Sequence, residues 1–177
     1  MKFCTLVLVG CTLIGVARIT TADDGSTSAE SSSIIEPPQS VTEARSRAKL
    51  LHEMVRGTLQ VVHRDFFDED NAHAIPSSSL EDVFHEMERG YDVTLKWLTV
   101  NTDVVNVDHQ AEGEFELQAV KKLAAGSPFV EASEENRYRF AGAIRLRSQC
   151  LKCHVKRRTN NEDRTAGLLI AMPLAAQ

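Results

Sequence analysis

The sequence predicts an α+β domain with a mainly antiparallel sheet. Three observations lead there. Apolar residues recur at helical spacing early in the chain, β-branched and aromatic residues dominate several later runs, and two of those runs are separated by only a short turn-forming segment.

Residues 1–22 read as a secretory signal peptide. Lys2 precedes the apolar run Phe3 to Ala17, and Thr20-Thr21-Ala22 offers small residues for cleavage. A run of about 15 residues is short of the ~20 that span a bilayer. Leu8-Val9-Gly10-Cys11 also resembles a lipobox with Cys11 as the lipidated residue, and an uncleaved anchor is the third option. All three imply export, so a periplasmic or otherwise exported location is expected. Residues 23–40 are rich in Ser, Thr, Asp and Glu and contain Pro37-Pro38, which predicts a flexible linker. A single domain over residues 41–177 follows.

The domain opens on a capping box, Ser40-Val41-Thr42-Glu43. Val41, Ala44, Ala48, Leu51, Val55, Leu59, Val62 and Phe66 continue it as the apolar stripe of a long helix. Asp68-Glu69-Asp70-Asn71 ends that helix, and Ile75-Pro76 begins a loop. A second capping box, Ser78-Ser79-Leu80-Glu81, then starts a short helix carrying Leu80, Val83, Phe84 and Met87 as far as Gly90. Tyr91 to Val100 has strand composition, and Phe115 to Ala125 is a third helix stopped by Gly126. Phe129 to Ala132 and Arg137 to Arg147 read as extended runs joined through Ser133-Glu134-Glu135-Asn136. The last run, Ala166 to Leu174, contains Pro173 and so suits a terminal or edge strand. The first helix is expected to pack across the sheet or the second helix.

Composition narrows the class. The chain has 177 residues, 42% hydrophobic and 25% charged, with a formal net charge of -5, which excludes collagenous, disulfide-dense and polytopic membrane proteins. A domain near this size buries about 70% of its unfolded surface, so neither a metal nor a disulfide is needed to stabilise it. The weakly acidic total argues against non-specific nucleic-acid binding.

The chemistry sits in Cys150-Leu151-Lys152-Cys153-His154. Two Cys two residues apart can each form a thioether with a haem vinyl group, and the adjoining His154 is then placed to coordinate the iron as proximal ligand. The motif coincides with an export signal, and c-type haem is attached outside the cytoplasmic membrane. One covalently bound haem c per chain is therefore expected. The competing readings are a dithiol redox site, a structural zinc site and a plain disulfide. The first lacks a surrounding βαβ pattern, the second lacks a second Cys pair in the mature chain, and the third would close too small a loop to stabilise much.

A second axial ligand must come from elsewhere. His52 and His63 are eleven positions apart, so on a helix they point within about 20° of each other beside the apolar stripe. His63 adjoins Val62, Phe66 and Phe67, which could cover a porphyrin face, whereas His52 stands among Lys49, Glu53 and Arg56. The distal ligand is thus expected at His63, with His52 and Met54 as alternatives. Met87 and Met172 read as core residues, and His73 and His109 as solvated ones.

The export signal, long helix, Pro-containing loop, Ala141-Gly142-Ala143-Ile144 strand and late Gln149-Cys150-Leu151-Lys152-Cys153-His154 before Ala166-Gly167-Leu168-Leu169-Ile170 together resemble the PAS-like c-type haem domain family, over roughly residues 45–174. The resemblance implies a PAS-like fold, haem on Cys150 and Cys153, His154 as proximal ligand and a distal ligand from the first helix. In some members a Cys holds the distal position, and His63 stands at the matching place here. Two imidazoles hold iron firmly and favour electron transfer at low potential, while a labile ligand suits a sensor. A standalone exported electron-transfer haem protein is the expectation; a haem-based redox or diatomic-gas sensor and a small haem peroxidase are the alternatives.

Charge is unevenly divided. Residues 23–136 carry nine basic and 23 acidic side chains, a net of -14, and residues 137–177 carry nine basic and two acidic, a net of +7. The basic part brackets the Cys motif, where it could neutralise haem propionates and steer a redox partner with an acidic surface.

Overall fold

The computed structural model describes residues 35–68, 75–134, 136–148 and 150–176, within a unit running from Ser33 to Gln177. The expected signal peptide, Cys11, the linker up to residue 34 and His73 lie outside the described residues.

Helix α1, Val41–Phe66, begins where the capping box puts it: the Ser40 hydroxyl accepts from the Glu43 backbone N–H at 3.2 Å. The returning Glu43 carboxylate accepts from Gln39 N–H at 2.9 Å, one residue earlier than in the usual box. The end of the expected linker belongs to the fold. Pro38 is buried and its carbonyl accepts from Ala175 N–H at 3.0 Å, while Arg47 donates to the Glu36 carbonyl.

Helix α2, Pro76–Tyr91, starts two residues before the second expected capping box, and its N-cap Ile75 makes no side-chain bond. Proline at the first helical position lacks only an N–H that would be unpaired anyway, so it sets the start and leaves Ser78 to Glu81 inside the first turns. The helix also runs past Gly90 to Asp92, whose left-handed backbone (φ 53°) closes it with an N–H to the Glu88 carbonyl.

The strands are β1 Thr94–Thr99, β2 Phe129–Glu134, β3 Arg137–Leu146 and β4 Arg164–Pro173, with helix α3, Gly113–Ala124, before β2 and a single-turn helix α4, Leu151–His154, between β3 and β4. They form a four-stranded antiparallel sheet in the order β1-β4-β3-β2. The Glu134–Arg137 pair leaves a two-residue hairpin connection. The expected α+β class, antiparallel sheet and long N-terminal helix are what the chain forms. The expected placement of the last strand is corrected: β4 is an inner strand, paired on both sides, and its Pro173 only terminates the ladder opposite Arg137.

The sheet is covered on both faces. Ala44 and Ala48 of α1 and Phe84 of α2 pack with Trp97, Tyr138, Phe140, Ile144, Leu146, Leu168, Ile170 and Met172. Phe115, Ala119 and Leu123 of α3 pack on the other face with Leu98, Val130, Ala141 and Leu169. Alternation along β3 and β4 sends successive side chains to opposite layers. The two alanines let α1 lie close to β3, and Arg45 fixes that approach with a bidentate pair to Glu131, whose second oxygen accepts from the Tyr138 hydroxyl at 2.5 Å. Desolvation, and next the hydrogen bond to Glu131, raise the Tyr138 pKa well above its ordinary value.

Candidate functional site

The Cys motif lies in the connection between the two inner strands. Leu151 is wholly buried in the cluster under α1 and α2, and Cys150 and Val155 pack against the same cluster. The motif is thereby tied to the core through its own second residue. His154 N–H donates to the Cys150 carbonyl at 3.2 Å and Val155 N–H to the Leu151 carbonyl at 2.9 Å, so Cys150 and Cys153 stand one turn apart on one side of α4. Both are free thiols, Cys150 half-buried and Cys153 exposed. Burial raises the Cys150 pKa, against the opposing pull of hydrogen bonding at the Arg147 backbone. Among the described residues no cluster of three or more His, Cys, Asp or Glu side chains could hold a metal ion.

Asp103 clamps the motif from the loop after β1. Its N–H donates to the His154 carbonyl and its Oδ2 accepts from Lys156 N–H, each at 2.9 Å. His154 itself is half-buried. Burial first, then the neighbouring charges of His63 and His109, hold its pKa below the ordinary histidine value. The charge effect of His63, on the last turns of α1, reflects its position at the same end of the molecule as His154. His63 is also pushed down by burial and packs against Phe67 with ring centroids 4.7 Å apart. A neutral imidazole is the form that coordinates a metal, and burial favours that form at both positions.

Beside His63, Val62 and Phe66 of α1 meet Pro76, Ser79 and Leu80 of α2 around an apolar cleft of about 230 Å³. Phe66, drawn by its spacing into the core stripe, is 79% exposed at this cleft. The cleft is smaller than the ~300–1,000 Å³ of enclosed ligand pockets, so a planar apolar group seated there would keep an edge in solvent.

The alternatives lie elsewhere. Met54 is 60% exposed, on the outer face of α1. His52, whose sequence neighbours include Lys49, Glu53 and Arg56, is 6% exposed and follows Ala44 and Ala48 on the face pressed to β3. Its ring meets Phe140 edge-on at 5.8 Å and lies against Gly142, while Nδ1 is 3.2 Å from Glu53. Nε2 is buried without a hydrogen bond. His109 is not merely solvated: its Nε2 is 2.8 Å from Glu81 and 3.3 Å from Asn106, and it joins the His63 and His154 end. No local pattern signals it, since Glu81 is 28 residues away. Met172 is buried and Met87 half-buried against the core, as expected.

The His52 burial has a pH consequence. Desolvation, only partly opposed by Glu53, lowers its folded pKa below the ordinary 6.5, so the native state binds fewer protons than the unfolded one. Stability is therefore full above the ordinary value and falls as pH drops through it. Thermal melting between pH 8 and 5 should show this loss, at most about 1.4 kcal/mol per pH unit for one group. His52→Asn should flatten the profile; an unchanged slope would put the loss on other groups.

A family model described as Tll0287-like matches residues 38–169. The chain belongs to the Tll0287-like family. The crystal structure of the cyanobacterial haem protein Tll0287, at 13% identity, superposes with a TM-score of 0.54 over 80% of this chain and 99% of that one. At that identity the Tll0287 match speaks for the fold. No curated protein matches the sequence. The Tll0287-like assignment bears out the haem-domain resemblance read from the residues, and its matched span includes α1, β1 to β3, the first part of β4 and the Cys motif.

Proposed function

We propose that this protein is an exported c-type haem protein with one covalently attached haem, acting in electron transfer. The observation that carries the reading is that Cys150-Leu151-Lys152-Cys153-His154 is anchored through Leu151 at the same end of the fold as His63 and the Val62–Leu80 cleft. Membership of a family that includes a haem protein supports it.

The donor set fits the group. Two thiols on one side of α4 suit two vinyl substituents: each S–H adds across a C=C bond, sulfur to the ring-side carbon and hydrogen to the terminal one, so no oxidant is consumed. His154 supplies a neutral imidazole as proximal ligand, with its segment held by Asp103, and His63 supplies the distal one. Val62, Phe66 and Leu80 exclude water from one side. Haem supplies a one-electron ferric–ferrous couple, and two imidazole ligands keep iron low-spin in both states, which suits electron transfer over ligand capture.

Protein produced with haem-maturation machinery should retain haem after denaturation and give the absorption of a doubly thioether-linked haem in alkaline pyridine. Cys153→Ser should shift that absorption to a single linkage, and Cys150→Ser with Cys153→Ser should abolish retention. Absence of bound haem in the parent protein would overturn the proposal. Rapid carbon monoxide binding by the unmutated reduced protein would replace electron transfer with gas sensing.

A further inference from the structure

The surface beside the Cys motif combines two features that the haem site does not use. The loop that clamps His154 and Lys156 exposes three valines: Val104 is 51% exposed, Val105 61% and Val107 69%. The loop is also tied to β4, with Asn101 N–H donating to the Thr165 carbonyl at 3.2 Å and Thr165 N–H to Asn101 Oδ1 at 2.6 Å. These valines are therefore displayed on a backbone fixed from both sides, and folding does not bury them.

The second feature is charge. In residues 137–177, Arg137, Arg139, Arg145 and Arg164 are paired with Asp92, Glu134, Asp163 and Glu162. Exposed Arg147, Lys156, Arg157 and Arg158 have no carboxylate partner among the described residues. All four flank the motif, and the Lys156 backbone is bonded to the residue preceding Val104. An apolar centre beside unneutralised cations is the anatomy of a transient protein interface, in which the centre expels water and the rim steers the encounter.

We propose that Val104, Val105 and Val107, with Arg147, Lys156, Arg157 and Arg158, form the docking face for an electron-transfer partner protein that presents a carboxylate cluster. The proposal rests on the haem reading for its purpose but on the loop and the unpaired cations for its place. A compact acidic protein fits better than an extended anionic surface. The rest of the chain is strongly acidic, with 23 acidic against nine basic residues from 23 to 136, and would be repelled by a membrane or nucleic acid reaching beyond the patch. Screening confines the attraction to about 8 Å at physiological salt.

The test uses the haem-loaded protein and, as probe, a small acidic blue-copper protein in its Cu(II) form. One electron passes from ferrous haem to Cu(II), giving ferric haem and Cu(I). The second-order rate should fall at least ~10-fold between low and physiological salt, in keeping with electrostatically steered association. The triple change K156Q/R157Q/R158Q should lower the low-salt rate by a similar factor and flatten the salt dependence. V104S/V105S/V107S should lower the rate at every salt concentration without changing that dependence. A rate indifferent to salt, or to both triple variants, would overturn the proposal. So would binding to phosphatidylglycerol vesicles that the basic triple variant abolishes, which would make the patch a membrane contact. Haem content is measured first. A haem-free preparation would sink the haem reading alone, and calorimetric titration with the same copper protein, compared across the variants, would still decide the docking face.

Discussion

Gly142→Ala is expected to destabilise the domain by about 3 kcal/mol, the upper end for an overpacked core. A Cβ at that position would stand 2.5 Å from His52 Nε2, nearer still to its Cδ2, and 2.9 Å from Phe140 Cε1. None of these atoms has room to retreat. The His52 ring is held between the sheet and a helix that Ala44 and Ala48 bring close, and Phe140 is stacked on Phe129 at 5.4 Å. Gly142 is not among the residues with positive φ, so the constraint is space and not backbone freedom. Denaturant midpoints at constant m-value measure the loss, and thermal melting should fall by roughly 10 °C. His52→Ala on the Gly142→Ala background should recover most of it, a coupling of about 2 kcal/mol in a double-mutant cycle. Additive effects would mean that the strain lies elsewhere.

His63→Ala in the haem-loaded protein is expected to convert a low-spin spectrum to high-spin and to open the iron to carbon monoxide in the reduced state. His63 is the α1 imidazole that shares an end of the fold with His154, and burial lowers its pKa. His52→Ala and Met54→Ala should leave the spectrum unchanged. His52 is committed to the helix–sheet contact about three turns away, and Met54 faces solvent. A low-spin spectrum persisting in His63→Ala would remove His63 from the axial position.

Local signals differ in how well they hold. Ser40 and Glu43 start α1 as their spacing requires, whereas Pro76 takes the start of α2 from the second box. The Cys motif is visible in the chain as a five-residue pattern. Tertiary placement accounts for the rest. Pro173 suggested an edge, yet the nearly continuous run Gly167-Leu168-Leu169-Ile170-Ala171-Met172, buried on both faces, is the mark of an inner strand. Glu53 and Arg56, beside His52 in sequence, give no sign of how deeply it is buried. The signal that places it is Ala44-x-x-x-Ala48 one and two turns earlier, a strip of small residues that lets a sheet approach. Nothing local reveals that Gly142 faces it, or that Glu81 meets His109.

The strand order has a kinetic consequence. β1 and the β2–β3 hairpin are joined only by β4, so the first strand waits for the last, across some 70 residues of chain, and no complete sheet exists before β4 inserts. Pairings this distant in sequence are slow to form. His154 precedes β4 by ten residues, so in a chain emerging from its N-terminus the two thiols are extruded before the closing strand.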